Sequence, residues 1–233
     1  MPQSLPMATA VEPKTASDAW DEKTHAFLKD ARGVIHVGAN IGQEKDVYRS
    51  FNLPVIWIEP LNGIFEHLCK EIADYPMQAA LQYLVTDVDG KEYSFGVSNN
   101  GAQSSSIFPF ADHKQIWPDV DYIGCTYEKS VTLKTVIERD KINMSLFDAL
   151  IMDVQGAELL VLQGAGEYLD RFRWIRAECA DFEIYEGCCQ LKDLDAFLFA
   201  RGYERAELWK GRSKVGVGST YEALYRRKDE EYR

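Results

Sequence analysis

Strand-like and helix-like runs alternate along this chain, which predicts an α/β fold: a mostly parallel sheet flanked by helices, with a C-terminal antiparallel hairpin and a cap insertion between the third and fourth strands. Three observations carry that expectation. Val34 to Val37 is an apolar run that breaks at Gly38, and a helical stretch leads from there to a second apolar run, Val55 to Ile58; a strand-helix-strand repeat of this length returns the second strand parallel to the first. The strand-like stretches 203–209 and 220–225 are separated only by residues 210–218, too short for a crossover, so that pair is antiparallel. Between residues 87 and 147 lie roughly 60 residues, where a crossover needs about a dozen.

The elements follow in order. The first helix is expected over 43–51. The second is expected over 62–75, where Ile64, Phe65, Leu68 and Ile72 fall on one face. A third strand is expected within 78–85. Strands over 147–152 and 174–177 flank a helix over 157–169, and 191–200 is a further helix. Residues 1–17 hold Pro2, Pro6 and Pro13 among small and polar residues without a period that would bury a face; they read as a disordered tail before a domain spanning 18–233. Within that domain 88–146 reads as an ordered cap, because Phe108, Phe110, Trp117 and Tyr122 give it apolar anchors. It is expected to carry an extra strand pair over 92–97 and 130–133, a polar loop over 99–106 and the segment 113–118.

Composition narrows the partners. At 233 residues the chain buries a substantial core, and one large domain is the expected organisation. A formal net charge of -11, with basic residues clustering only at Arg226, Arg227 and Lys228, argues against nucleic acid and for a small-molecule, glycan or peptide partner. No apolar run approaches the ~20 residues of a membrane span, and the first 17 residues lack a basic start and apolar core. Five cysteines without regular spacing suit reduced thiols. The expectation is a cytoplasmic protein without a membrane partner.

The run His36-Val-Gly-Ala-Asn-Ile-Gly42, followed by a strand that ends on Glu59-Pro60, describes a pocket for an adenosine-containing cofactor. The turn lets backbone approach the ligand, and an acid about 20 residues on takes ribose hydroxyls. The dinucleotide fingerprint G-x-G-x-x-G wants small residues where this chain has Asn40 and Gln43, and Gln43 is too bulky. Counted in twos, His36, Gly38, Asn40 and Gly42 match the acid-x-G-x-G-x-G turn of S-adenosylmethionine methyltransferases with two substitutions. Asn40 is tolerated there because Asn, after Gly, most readily adopts positive φ. His36 replaces the acid.

Three further strings accompany this turn: Phe147-Asp-Ala-Leu-Ile-Met-Asp-Val-Gln-Gly-Ala-Glu158, then Leu162-Gln-Gly-Ala165, then Glu178 followed by Tyr185-Glu-Gly187. Together with the first turn and Glu59-Pro60, in this order, they resemble FkbM-type methyltransferases over about residues 32–205. The resemblance implies the class I, Rossmann-like methyltransferase fold, S-adenosylmethionine as cofactor, and O-methylation of hydroxyls on natural products and glycans. His36, where many members have Asp, is the departure.

Candidate site residues each have a bland reading beside the functional one. Gly38, Asn40 and Gly42 could form only a tight turn, but their place at a strand end entering a helix favours cofactor binding, with His36 opening the motif as a packed strand histidine and not a base. Glu59 and Pro60 end an apolar strand and are assigned to the cofactor pocket, with the Glu59 carboxylate on the ribose. Thr86 and Asp87, after the third strand, stand evenly between an adenine contact and an ordinary turn. Asp153 and Gln155 end the fourth strand and point the same way by period-2 geometry; both are assigned to the pocket, with Asp153 the leading group to orient the acceptor or take its proton. His113 and a Glu178-linked water are the other candidate bases, and Tyr185 and Glu186 are acceptor-side candidates. Asp153, Glu158 and Glu178 could together ligate Mg, although helix capping and salt bridging is the favoured reading of that trio.

The expected activity is methyl transfer from S-adenosylmethionine to an oxygen nucleophile. An N-methyltransferase and a S-adenosylmethionine-binding regulatory module without turnover are the alternatives. The acceptor's identity lives in the cap and its loops.

Overall fold

The computed structural model describes residues 23–228; the tail expected over 1–17 lies outside them. Ten strands and six α-helices follow in chain order: β1 (Val34–Val37), α1 (Lys45–Ser50), β2 (Val55–Ile58), α2 (Asn62–Glu71), β3 (Gln78–Leu81), β4 (Leu84–Thr86), β5 (Glu92–Ser98), α3 (His113–Ile116), β6 (Tyr122–Thr132), α4 (Leu133–Arg139), β7 (Ala149–Met152), α5 (Glu158–Gly164), β8 (Trp174–Ala180), α6 (Leu191–Phe199), β9 (Tyr203–Lys214) and β10 (Gly218–Arg227). Short 3₁₀ turns cover Ala26–Asp30 and Gly166–Arg171. Among the described residues no helix is long and apolar enough to cross a membrane.

Seven strands form the main sheet in the order β3-β2-β1-β7-β8-β10-β9. The first five are parallel, while β10 runs antiparallel to both β8 and β9. The chain moves outward from β1 to β3 and then restarts beside β1 at β7, so the β1/β7 boundary is a topological switch point, where open α/β sheets hold their ligands.

Side-chain alternation sorts β1 between two cores. Ile35 and Val37 join Leu150, Met152 and Ile175 against the apolar faces of α4, α5 and α6. Val34 packs with Trp57, Ile151 and Trp174 against Tyr48 of α1, Leu68 of α2, and Phe27 and Leu28 of the first 3₁₀ turn. Helix α6 starts with a reciprocal cap, in which the Asp193 carboxylate accepts the Gln190 N–H at 2.9 Å.

The third strand expected within 78–85 is β3 of the main sheet; after Gln82 and Tyr83 the chain enters a further strand, β4, which pairs in parallel with β6 in a separate three-stranded sheet of order β4-β6-β5. The helix over 157–169 stops at Gly164 and tightens into the 3₁₀ turn after Ala165. The insertion is ordered, as expected, although β6 is far longer than the strand read over 130–133: it pairs antiparallel with β5 from Lys129 back to Tyr122.

Candidate active site

The turn after β1 is forced against the end of β7. The Asp153 N–H donates to the Val37 carbonyl at 3.1 Å, and a Cβ on Gly38 would lie 2.0 Å from the Asp153 carbonyl oxygen. With φ of +82°, Gly38 is excluded to other residues both sterically and conformationally. Asn40 follows at φ 45° and Gly42 at 73°, so all three positions counted in twos are left-handed. The Asn40 side chain holds the turn from both sides: its Oδ1 accepts from Ile41 N–H at 2.9 Å and from Gln43 Nε2 at 3.1 Å, while its Nδ2 donates to the Gly101 carbonyl at 3.0 Å.

Glu59, at the end of β2, points its carboxylate into this turn. Oε2 accepts the Asn40 N–H at 3.0 Å and Oε1 accepts the Leu61 N–H at 2.9 Å. The side chain is 5 % exposed. Burial raises its pKa to about 7, against the two backbone hydrogen bonds that favour the ionised form. Pro60 is buried behind it, and Leu61, Leu84 and Phe95 form an apolar cluster alongside.

The second group of acids gathers at the C-terminal ends of β7 and β8. The Gln155 amide bridges them: Nε2 donates to Asp153 Oδ1 and to Glu178 Oε2, the latter at 3.1 Å. Asp153 and Glu178 face each other through this bridge. Asp153 is accessible to solvent yet surrounded by protein, as a side chain lining a crevice is. Burial, then the neighbouring Glu178 charge, pushes its carboxyl well above the usual range. Glu178 is raised by burial and by Glu222, its cross-strand partner on β10. Two carboxyls this close share their protons as a unit.

The insertion and the segment after β8 meet these groups through Gln155. Trp117, His113, Phe110 and Tyr122 stack with successive ring centroids at 4.7, 4.2 and 4.0 Å. Tyr185 packs beside the stack, 5.5 Å from His113, and its hydroxyl donates to Gln155 Oε1 at 2.5 Å. From the serine loop, the Ser106 hydroxyl donates to the Gln155 carbonyl at 2.7 Å.

His113 needs correction as a candidate base. It is 1 % exposed inside the aromatic stack, and burial lowers its pKa to about 4. Glu158 follows the favoured capping reading of the trio: its Oε1 accepts the Val154 and Gly156 N–H groups at 3.1 and 3.2 Å at the start of α5. Among the described residues no group of three or more His, Cys, Asp or Glu side chains is arranged to hold a metal ion.

His36 lies beneath the turn and not in it. Its Nδ1 is 2.9 Å from the Tyr48 hydroxyl and its ring stacks on Trp57 at 5.0 Å, which commits the side chain to the second core. Thr86 is buried with its hydroxyl engaged to the Val88 backbone, and Asp87 is exposed beyond it. Glu186 is exposed too.

Sequence reasoning missed Glu222 and Arg176. Arg176 is buried on β8, with its Nε 3.3 Å from Glu222 Oε2. Strand alternation would have put each on a face, but only the β8/β10 register sets Glu222 opposite Glu178.

Comparison with known proteins fits this geometry. The model of the methyltransferase FkbM domain matches residues 36–205. No curated protein matches the sequence. Among solved structures, magnesium protoporphyrin IX methyltransferase from Synechocystis PCC 6803, solved with bound S-adenosylmethionine, is similar at 9 % identity and a TM-score of 0.51, covering 90 % of this chain and 78 % of that one. The methyltransferase domain of METTL16 is similar at 10 % identity and a TM-score of 0.52, covering 90 % of this chain and 65 % of that one. At these identities the likeness establishes the fold, that of the class I methyltransferases.

Proposed function

The chain belongs to the FkbM methyltransferase family, and from that premise we propose that it transfers the methyl group of S-adenosylmethionine to a hydroxyl oxygen of a small molecule, natural product or glycan. The residues at the switch point fit this cofactor. Glu59 presents a buried, backbone-oriented carboxylate for the ribose hydroxyls, the left-handed turn from Gly38 to Gly42 leaves room for close backbone approach, and Leu61, Leu84 and Phe95 offer apolar surface for the adenine. Bound there, the cofactor supplies an activated methyl group on a cationic sulfur.

What remains for the protein is to align the acceptor, exclude water and take one proton. The observation that carries the choice of a hydroxyl acceptor is the Asp153–Glu178 pair, bridged by Gln155 beside the glycine turn. In that transfer the pair would take the acceptor's proton, while the acceptor oxygen would bond to the methyl carbon as the carbon–sulfur bond breaks with its electrons to the sulfur, leaving neutral S-adenosylhomocysteine. A positioned base contributes typically about 100-fold to 10,000-fold. The net charge of -11 supports an acceptor that is not nucleic acid, and five free cysteines support a reducing, cytoplasmic setting.

Asp153→Asn tests the assignment, since it keeps the shape of the side chain and removes its basicity. Methyl-tritium transfer to a panel of glycosides and phenols should fall about 100-fold or more while calorimetric affinity for S-adenosylmethionine changes far less. Full turnover in Asp153→Asn would take the acid pair out of the mechanism and favour an N-methyl acceptor.

A further inference from the structure

Gln155 is an oddity of the chain. It sits at φ 53°, followed by Gly156 at 101°, so a long polar side chain occupies a left-handed position where glycine would be free of strain. Its side chain is used completely. The two amide hydrogens go to the two carboxylates, and the amide oxygen receives the Tyr185 hydroxyl. Its backbone carbonyl receives the Ser106 hydroxyl from the cap. The amide cannot be flipped without setting its oxygen against two carboxylates, so its orientation is fixed by electrostatics.

Each of these contacts joins one wall of the site to another. Asp153 and Glu178 come from the main sheet, Ser106 from the loop after β5, and Tyr185 from the segment after β8. Tyr185 also touches the stack through Phe110 and His113, and its hydroxyl lies 3.4 Å from the Ser104 carbonyl. The same loop reaches the cofactor turn through Gly101 and Asn40.

We infer that Gln155 is a positioning residue that couples closure of the 99–106 loop to the arrangement of the Asp153–Glu178 pair, so that the proton-accepting geometry is assembled only with the cap in place. This rests on the methyl-transfer reading, because cofactor entry beside Asn40 is what shifts the loop. A residue kept for backbone shape alone would be Gly. The cost of holding Gln there is matched by four hydrogen bonds to four different partners.

The test is hydrogen exchange over residues 99–106 with and without S-adenosylmethionine, in wild type, Gln155→Gly, Tyr185→Phe and the double variant. Gln155→Gly relieves the backbone strain and deletes the amide; Tyr185→Phe breaks the same link without touching the sheet. In wild type the cofactor should slow exchange of the loop at least fivefold. Each single variant should bind cofactor, by calorimetry, and lose most of that protection, and the double variant should lose no more than either single. Cofactor-bound Gln155→Gly or Tyr185→Phe with wild-type protection, or additive losses in the double variant, would overturn the coupling. A wild-type protein that binds no S-adenosylmethionine would overturn the methyl-transfer reading itself.

Discussion

Replacing Glu59 by Gln asks one buried carboxylate to account for both stability and cofactor binding. In the wild type each oxygen accepts a backbone N–H, from Asn40 at 3.0 Å and Leu61 at 2.9 Å, in a side chain that is 5 % exposed. Gln retains one acceptor and turns an NH₂ group toward the other N–H, so one charge-assisted hydrogen bond is lost and two donors face each other. Loss of such a bond costs about 1.5 to 3 kcal/mol, which for a protein of this size lowers Tm by about 3 to 12 °C. The same loss at the ribose weakens S-adenosylmethionine binding roughly tenfold to a hundredfold. There is also a pH signature. Because burial raises Glu59 to about 7, wild-type affinity should rise from pH 6 to pH 8 by at most about tenfold per unit as the carboxylate ionises, and Glu59→Gln should lack that component. Calorimetric titration at pH 6, 7 and 8 with thermal melts of both proteins measures all three. A folded variant with affinity within twofold of wild type at pH 8 would refute the ribose assignment.

Gly38→Ala places a Cβ 2.0 Å from the Asp153 carbonyl oxygen at φ +82°; left-handed strain alone costs about 1 to 2 kcal/mol, so a denaturant melt should show a loss above about 2 kcal/mol, and an unchanged midpoint would contradict the packing of β1 against β7. His113→Phe should leave turnover within about threefold and hold or raise Tm, because it keeps the aromatic stack and removes the Nδ1 that is buried without a hydrogen bond; a collapse of turnover would restore His113 as a base. Glu59 and Glu158 both ionise near 4.5 when unfolded and at about 7 when folded. Between those values the native state holds more protons than the unfolded one, so these groups make stability fall as pH rises from about 4.5 to 7. Urea melts of the cofactor-free protein at pH 5 and 7.5 measure this, and greater stability at pH 7.5 would count against it.

The sequence by itself determined the elements whose signal is local. The spacing of Gly38, Asn40 and Gly42 announces a left-handed turn because few residues tolerate positive φ, and four apolar residues ending on Glu59 place an acid at a strand end. The parallel core and the closing hairpin were legible from connection lengths, which are a matter of chain reach. Tertiary structure decided what lies across the sheet. Nothing near Gln78 or Thr86 says that the chain changes sheets between them, because an apolar run is the same whichever strand it pairs with. His113 was one of several candidate bases, and only the fold sets Phe110 and Trp117 on either side of it; for Glu158 capping was the favoured reading, and the fold supplies the backbone N–H groups it turns back to. The Asp153–Glu178 pair joins residues from two strands, and Glu222 stands opposite Glu178 only because β10 enters antiparallel in one particular register. Carboxylates acquire unusual acidity from their neighbours and their distance from water, and both are properties of the folded sheet that no local stretch of sequence contains.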